Sequence, residues 1–213
     1  MMKQAYKLYF LLVAILVMMT NSVLAQELET IVPEKTFPQE YVKVTEERAA
    51  GIVKEIDLSA SKKQKVTEIV AQQYRDLSAI QDTRDAQIKI IEDKFENKAT
   101  IDQLSREIRL NAERQTNALH NQFIAKLTAE IPAEQVNEVK DGMTYNVVEV
   151  TYNAYLEQSP DLEEKDKKKI KAWLIEAREY AMDAGSSDAK HQIFGEYKGR
   201  INNYLSSEGY TLD

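Results

Sequence analysis

Eight apolar residues, Val66, Val70, Tyr74, Leu77, Ile80, Ile88, Ile91 and Phe95, recur at three- and four-residue steps or multiples of them. That spacing puts them on one face of a helix. A helix over residues 60–95 would be about 54 Å long. Such length exceeds what a compact globule needs, so the stripe requires a partner of similar length. Leu104, Ile108, Ala112, Leu119, Phe123 and Leu127 supply it, ending near Ile131-Pro132. The two segments predict a long antiparallel α-hairpin over residues 60–130. Ser59 is placed to cap its first helix, residues 96–99 to form the turn, and Thr100 with Gln103 to make a capping box for the second.

On either side of the hairpin the same period continues. Val42, Ala49, Ile52, Val53 and Ile56 mark a helix from Glu40, weakened internally by Gly51. Pro132 suits the first turn of another helix running to Gly142. Residues 144–156 are rich in strand-favouring types, Val147, Val148, Val150, Tyr152 and Tyr155 among them. No second strand-like run follows, and an isolated strand has nothing to pair with, so helix is expected. Asp161 is expected to open a helix with Ile170, Trp173, Leu174, Ala177 and Ala181 inward, stopped by Gly185. Ser186 or Ser187 then caps a last helix ending at Gly209. The expected fold is all-α, a single domain over residues 39–213 in which the long hairpin is followed by a C-terminal helical bundle at residues 132–209.

The N-terminal segment reads differently. Lys3 and Lys7 precede an apolar run from Leu8 to Met19, and Val23-Leu24-Ala25 supplies a cleavage site, so residues 1–25 are expected to be a secretory signal. The run is too short for a membrane anchor. Residues 26–38, with Pro33 and Pro38, read as a linker or N-terminal arm. Removing Lys3 and Lys7 from the 28 basic residues leaves 26 against 35 acids, so the net charge moves from −7 to −9. An exported, periplasmic or secreted, protein without a membrane anchor is expected.

Several chemistries are disfavoured. With no cysteine there is no disulfide framework, thiolate metal site or lipid-modified cysteine. The acidic balance argues against nucleic acid as a partner. His120 and His191 fall in no metal-binding spacing, and no nucleophile elbow or phosphate-binding glycine loop occurs. The sequence offers no catalytic residues, no metal ligands and no cofactor, and an enzyme is disfavoured.

Composition shifts in the last third. From Gly142 onward lie seven of the 11 tyrosines, the only tryptophan and five of the 6 glycines. On the last helix, Ile193, Phe194, Tyr197, Ile201, Tyr204 and Leu205 form a core stripe, while His191, Gly195, Gly199 and Asn202 lie roughly opposite. Two mid-helix glycines on one face imply close packing of another helix or approach of a ligand, with close packing preferred. Sugar sites combine aromatic faces with planar groups that match adjacent hydroxyls. Tyr145, Asn146, Glu176, Arg178, His191, Tyr197, Lys198, Arg200, Asn202 and Asn203 supply both and are the candidate ligand-binding residues. Singly, each has an ordinary structural role open to it; Glu176 and Arg178, for instance, can form a buried ion pair.

The segments Glu176-Ala177-Arg178-Glu179, Phe194-Gly195 and above all Tyr197-Lys198-Gly199-Arg200-Ile201-Asn202-Asn203-Tyr204-Leu205 resemble a secreted bacterial family of unknown function described as sugar-binding. The resemblance spans residues 41–212 and implies carbohydrate binding linked to polysaccharide utilisation, with no catalytic residues to carry over. Leu58-Ser59-Ala60-Ser61-Lys62-Lys63-Gln64 more loosely resembles the Leu-Thr-x-x-Gln helix start of small periplasmic chaperones, with serine in place of threonine and the glutamine displaced. That likeness implies the alternative, a chaperone or stress-sensing hairpin. A protein partner or homo-oligomer stays open under either reading. A cleft lined by Tyr197, Arg200 and Asn202 would favour the sugar reading, and a large exposed apolar patch between Val66 and Leu127 the chaperone.

Overall fold

A computed structural model describes residues 32–211 of the chain. The expected signal segment, residues 1–25, and the first part of the expected arm lie outside the described residues. Seven helices are present among those described: α1 (Gln39–Val53), α2 (Ala60–Lys94), α3 (Lys98–Glu130), α4 (Ala133–Met143), α5 (Val147–Gln158), α6 (Glu164–Ala181) and α7 (Ser187–Ser207). The fold is all-α. None of these helices is long and apolar enough to cross a membrane.

Helices α2 and α3, of 35 and 33 residues, form the hairpin. Ser59 caps α2 by accepting from the Lys62 amide. The second cap differs from the expected one: Asn97, not Thr100, is the capping residue, its side chain accepting from the first-turn amide of Thr100 itself at 3.1 Å. An asparagine one residue before the helix reaches that donor with its own carbonyl, which leaves the threonine inside the first turn.

Two main cores result. At the hairpin base, Ala49 and Val53 of α1 meet Val66, Val70 and Tyr74 of α2, Phe123 and Leu127 of α3, and Val136, Val139 and Met143 of α4. Close approach of α1 to α4 depends on Gly142, where an added Cβ would sit 2.6 Å from Ile52 Cγ2. Leu174, Ala177, Phe194, Ile201 and Leu205 dominate the second core, built by α5, α6 and α7. Midway along the hairpin, Leu77, Ile80, Ala112 and Leu119 form a smaller cluster against which Val32 of the extended N-terminal arm packs. Residues 147–158 are helical, as the lack of a strand partner required.

Two boundaries shift. Helix α6 begins at Glu164 rather than Asp161, because Leu162 is buried in a turn closed onto the Ser159 carbonyl. It ends at Ala181, before Gly185. Ser186 caps α7, accepting from the Ala189 amide at 3.1 Å. At the end of α7, Gly209 (φ 92°) turns the chain left-handed while the Gly209 and Tyr210 amides reach back to the Ser206 and Leu205 carbonyls. This double bond pattern is the glycine-terminated Schellman closure.

Candidate functional site

Helix α4 closes with the same pattern and a different residue. The Asn146 amide donates to the Asp141 carbonyl at 2.8 Å and the Tyr145 amide to that of Gly142 at 3.4 Å. The left-handed position held by Gly209 at the end of α7 is therefore held here by Tyr145 (φ 58°), and Asn146 (φ 55°) follows in the same region. A β-carbon in that conformation costs about 1–2 kcal/mol. What the strained turn achieves is display: Tyr145 is 56% exposed, its ring stacked on that of His191 at 6.0 Å and 19°. Backbone strain tolerated at an exposed aromatic is a mark of ligand sites.

Tyr145 and Asn146 border a cleft of about 750 Å³ between the hairpin base and the start of α7. Its wall from α1 carries Tyr41, Arg48 and Gly51, and that from α2 carries Tyr74 and Gln81, with Ser186, Ser187 and Lys190 across from them. The ring of Tyr74 is the meeting point. Arg48 Cζ lies 5.0 Å from its centre and Lys190 Nζ 5.6 Å. Lys190 is only 6% exposed and donates to the Met143 carbonyl at 2.8 Å. Burial, and then the nearby Arg48 charge, push the Lys190 ammonium down to about 8, with Asp183 opposing. Burial drives the Tyr74 hydroxyl up to about 12.

Beneath the cleft runs a chain of ionic contacts. The buried Arg178 donates to Asp141 at 2.8 Å, to Asn137 at 2.8 Å and to Glu179 at 3.0 Å. Lys140 meets Glu179 at 2.7 Å, and His120 bonds Asp183 at 2.7 Å. Burial works against the Glu179 charge, but Lys140 and Arg178 outweigh it and hold the carboxyl below the usual range. Three carboxylates and three basic groups thus bind α3, α4, α6 and the loop after α6 to one another.

The ten candidate residues do not form one cluster. Tyr145 and Asn146 share the cleft mouth, and His191 touches it only through the stack of its ring on that of Tyr145. Arg178 belongs to the buried network and pairs with Asp141 and Glu179, not with Glu176. Glu176, Tyr197 and Arg200 lie on the joint face of α6 and α7, where Arg200 stacks over Trp173 at 4.4 Å and approaches Glu176 at 3.7 Å. Lys198 and Asn202 border a shallow depression beside α5, and Asn202 accepts from the Tyr155 hydroxyl at 2.6 Å. Asn203 is exposed. At 100° per residue the α7 positions fan around the helix, so Tyr197 and Arg200 cannot join Asn202 in one concavity. The preferred packing account of Gly195 and Gly199 is also overturned: nothing lies within 4 Å of a Cβ built at either.

Tyr41, Arg48, Tyr74 and Lys190 were not anticipated from the sequence. Tyr74 reads as one more member of the hairpin stripe. Lys190 carried a usable signal, since it precedes Phe194 by four residues and so falls on the buried face of α7. A lysine on a core face is rarely incidental.

Among the described residues, no group of three or more histidines and acids is placed to hold a metal ion. The model of a family described as "Protein of unknown function (DUF3826)" matches residues 42–213, most of the chain. No curated protein matches it.

Proposed function

The chain belongs to the DUF3826 family, and we propose that it acts as an exported, non-enzymatic carbohydrate-binding protein whose ligand sits in the cleft at Tyr145. One observation carries this reading. An exposed tyrosine, held by a strained turn where the same closure at α7 has glycine, stands at the mouth of a cleft that also holds Tyr41 and Tyr74. Tyrosine faces pack against the C–H surfaces of sugar rings, and planar amide and carboxylate groups match paired hydroxyls. Gln81, Asn146 and Glu138 border the cleft and supply such groups. A volume near 750 Å³ has room for a short oligosaccharide segment.

The test is calorimetric titration of the protein against a glycan panel, with Tyr145→Ala alongside. Saturable binding that weakens about tenfold or more in the variant is expected. Binding that ignores the substitution, or suppression of client aggregation in place of any glycan binding, would overturn the proposal. The client-holding alternative needs a continuous apolar surface on the hairpin. There Ile90 and Leu110 are exposed, while Val66, Val70, Leu119, Phe123 and Leu127 are buried.

A further inference from the structure

A neutral sugar gives no reason for two cations to share one aromatic ring. Arg48 and Lys190 both approach the Tyr74 ring, and Lys190 does so from a nearly buried position where its charge is opposed by burial and by Arg48. Most of the acids around them are already engaged. Asp82 pairs with Lys35, Asp141 with Arg178, and Glu55 with Lys54. Asp183, the one acid that favours the Lys190 charge, is bonded to His120. Glu138 stands exposed at the rim. Among the described residues, neither Arg48 nor Lys190 has a carboxylate at ion-pair distance, in a chain where acids outnumber bases. Lys190 also belongs to the first turn of the 21-residue helix α7, whose amide end faces the same cleft through Ser186 and Ser187. That end of a helix favours negative charge.

We infer that the cleft takes an acidic carbohydrate, whose carboxylate or sulfate group lies between the Arg48 guanidinium and the Lys190 ammonium beside Tyr74. The inference rests on the carbohydrate reading of the cleft and adds the charge of the ligand. Arg48 offers the planar pair of N–H donors that an anionic oxygen pair matches, and Lys190 a point charge. An anion seated there relieves the repulsion between the two cations. Tyr41, Tyr74 and Tyr145 remain for the apolar face of the sugar ring.

Two matched pairs of probes separate charge from sugar: polygalacturonate with its fully methyl-esterified form, and a sulfated galactan with its desulfated form. Inorganic sulfate alone serves as the fifth probe. Titration is expected to show a preference of about tenfold or more for the charged member of at least one pair, weakening as salt is raised. Arg48→Gln, on an exposed helical position, and Lys190→Met, checked for native helicity by circular dichroism, should each abolish that preference. Tyr145→Ala should weaken both members of the pair together. Equal binding of charged and uncharged members, or a preference that survives Arg48→Gln, overturns the inference and leaves the carbohydrate reading standing. Inorganic sulfate binding as tightly as the sulfated galactan overturns it too, since the ligand is then a bare anion. No binding of any probe by the wild-type protein sinks both.

Discussion

His120 Nδ1 lies 2.7 Å from a carboxylate oxygen of Asp183, joining the middle of helix α3 to the loop that separates α6 from α7. The hydrogen bond to Asp183 is the main cause that lifts the histidine above its ordinary value of 6.5, against the opposing effect of burial. A raised folded value means that the stabilisation is complete below the unfolded value and is lost as pH rises through the folded one. Urea denaturation at a series of pH values should therefore show the wild type exceeding His120→Gln most at about pH 5, with the gap closing above neutrality. A gap independent of pH would mean that the pair is not ionic.

Tyr145→Gly should stabilise the fold by about 1 kcal/mol, because glycine occupies the left-handed region without the penalty a β-carbon incurs. Glycan affinity should fall in the same variant. At the matching position of α7 the sign reverses, and Gly209→Ala should destabilise by about 1 kcal/mol. Differential scanning calorimetry reads both. A Tyr145→Gly protein that melts lower than wild type would make the tyrosine a packing residue.

Arg178 and Glu176, two residues apart in sequence, should behave unlike each other. Removing the Arg178 side chain takes from Asp141 and Asn137 their buried partner, while Glu179 keeps Lys140, and Arg178→Ala should lose about 2–3 kcal/mol. Glu176→Gln affects an exposed pair with Arg200, and should change stability by less than about 1 kcal/mol. Comparable losses in chemical denaturation would contradict this division of roles.

Gly195→Ala and Gly199→Ala should each raise stability by about 1 kcal/mol, since both glycines sit inside α7 with open space beside them. Destabilisation by either would reveal a partner packed against that face.

Lys190 predicts an unusual alkaline limb. Its folded value of about 8 lies below the ordinary lysine value of 10.5, so the unfolded chain holds the proton more tightly in the interval between them. Stability should then rise with pH from about 8 toward 10, before the tyrosines begin to titrate. In Lys190→Met the rise should vanish; a wild-type curve that is flat or falling over that interval would argue that the ammonium is better solvated than its burial indicates.

Local periodicity made the framework legible. The stripe from Val66 to Ile88 and its partner from Leu119 to Leu127 needed only spacing to announce a hairpin, and Ser59 and Ser186 marked helix starts by their own side-chain chemistry. The stretch from Val147 to Tyr155 was resolved by what the rest of the chain lacked. Boundaries failed where one residue outcompeted its neighbour, as Asn97 did Thr100. Only part of the cleft was readable. Tyr145, Asn146 and His191 drew notice by type, but Tyr41, Arg48, Tyr74 and Lys190 converge through packing between distant segments, and periodicity carries no record of such convergence. The dense run from Tyr197 to Asn203 misled for the opposite reason: residues adjacent in sequence point to different sides of a helix.

The walls of the cleft come from α1, α2, the end of α4 and the beginning of α7, so Tyr41 and Lys190 stand near opposite ends of the described chain. A nascent chain that has formed the complete hairpin still lacks Ser186, Ser187 and Lys190, and so lacks one whole side of the cleft. A ligand proposed for this cleft would therefore report that α7 has been made and docked, and would be silent toward any fragment that stops before α7.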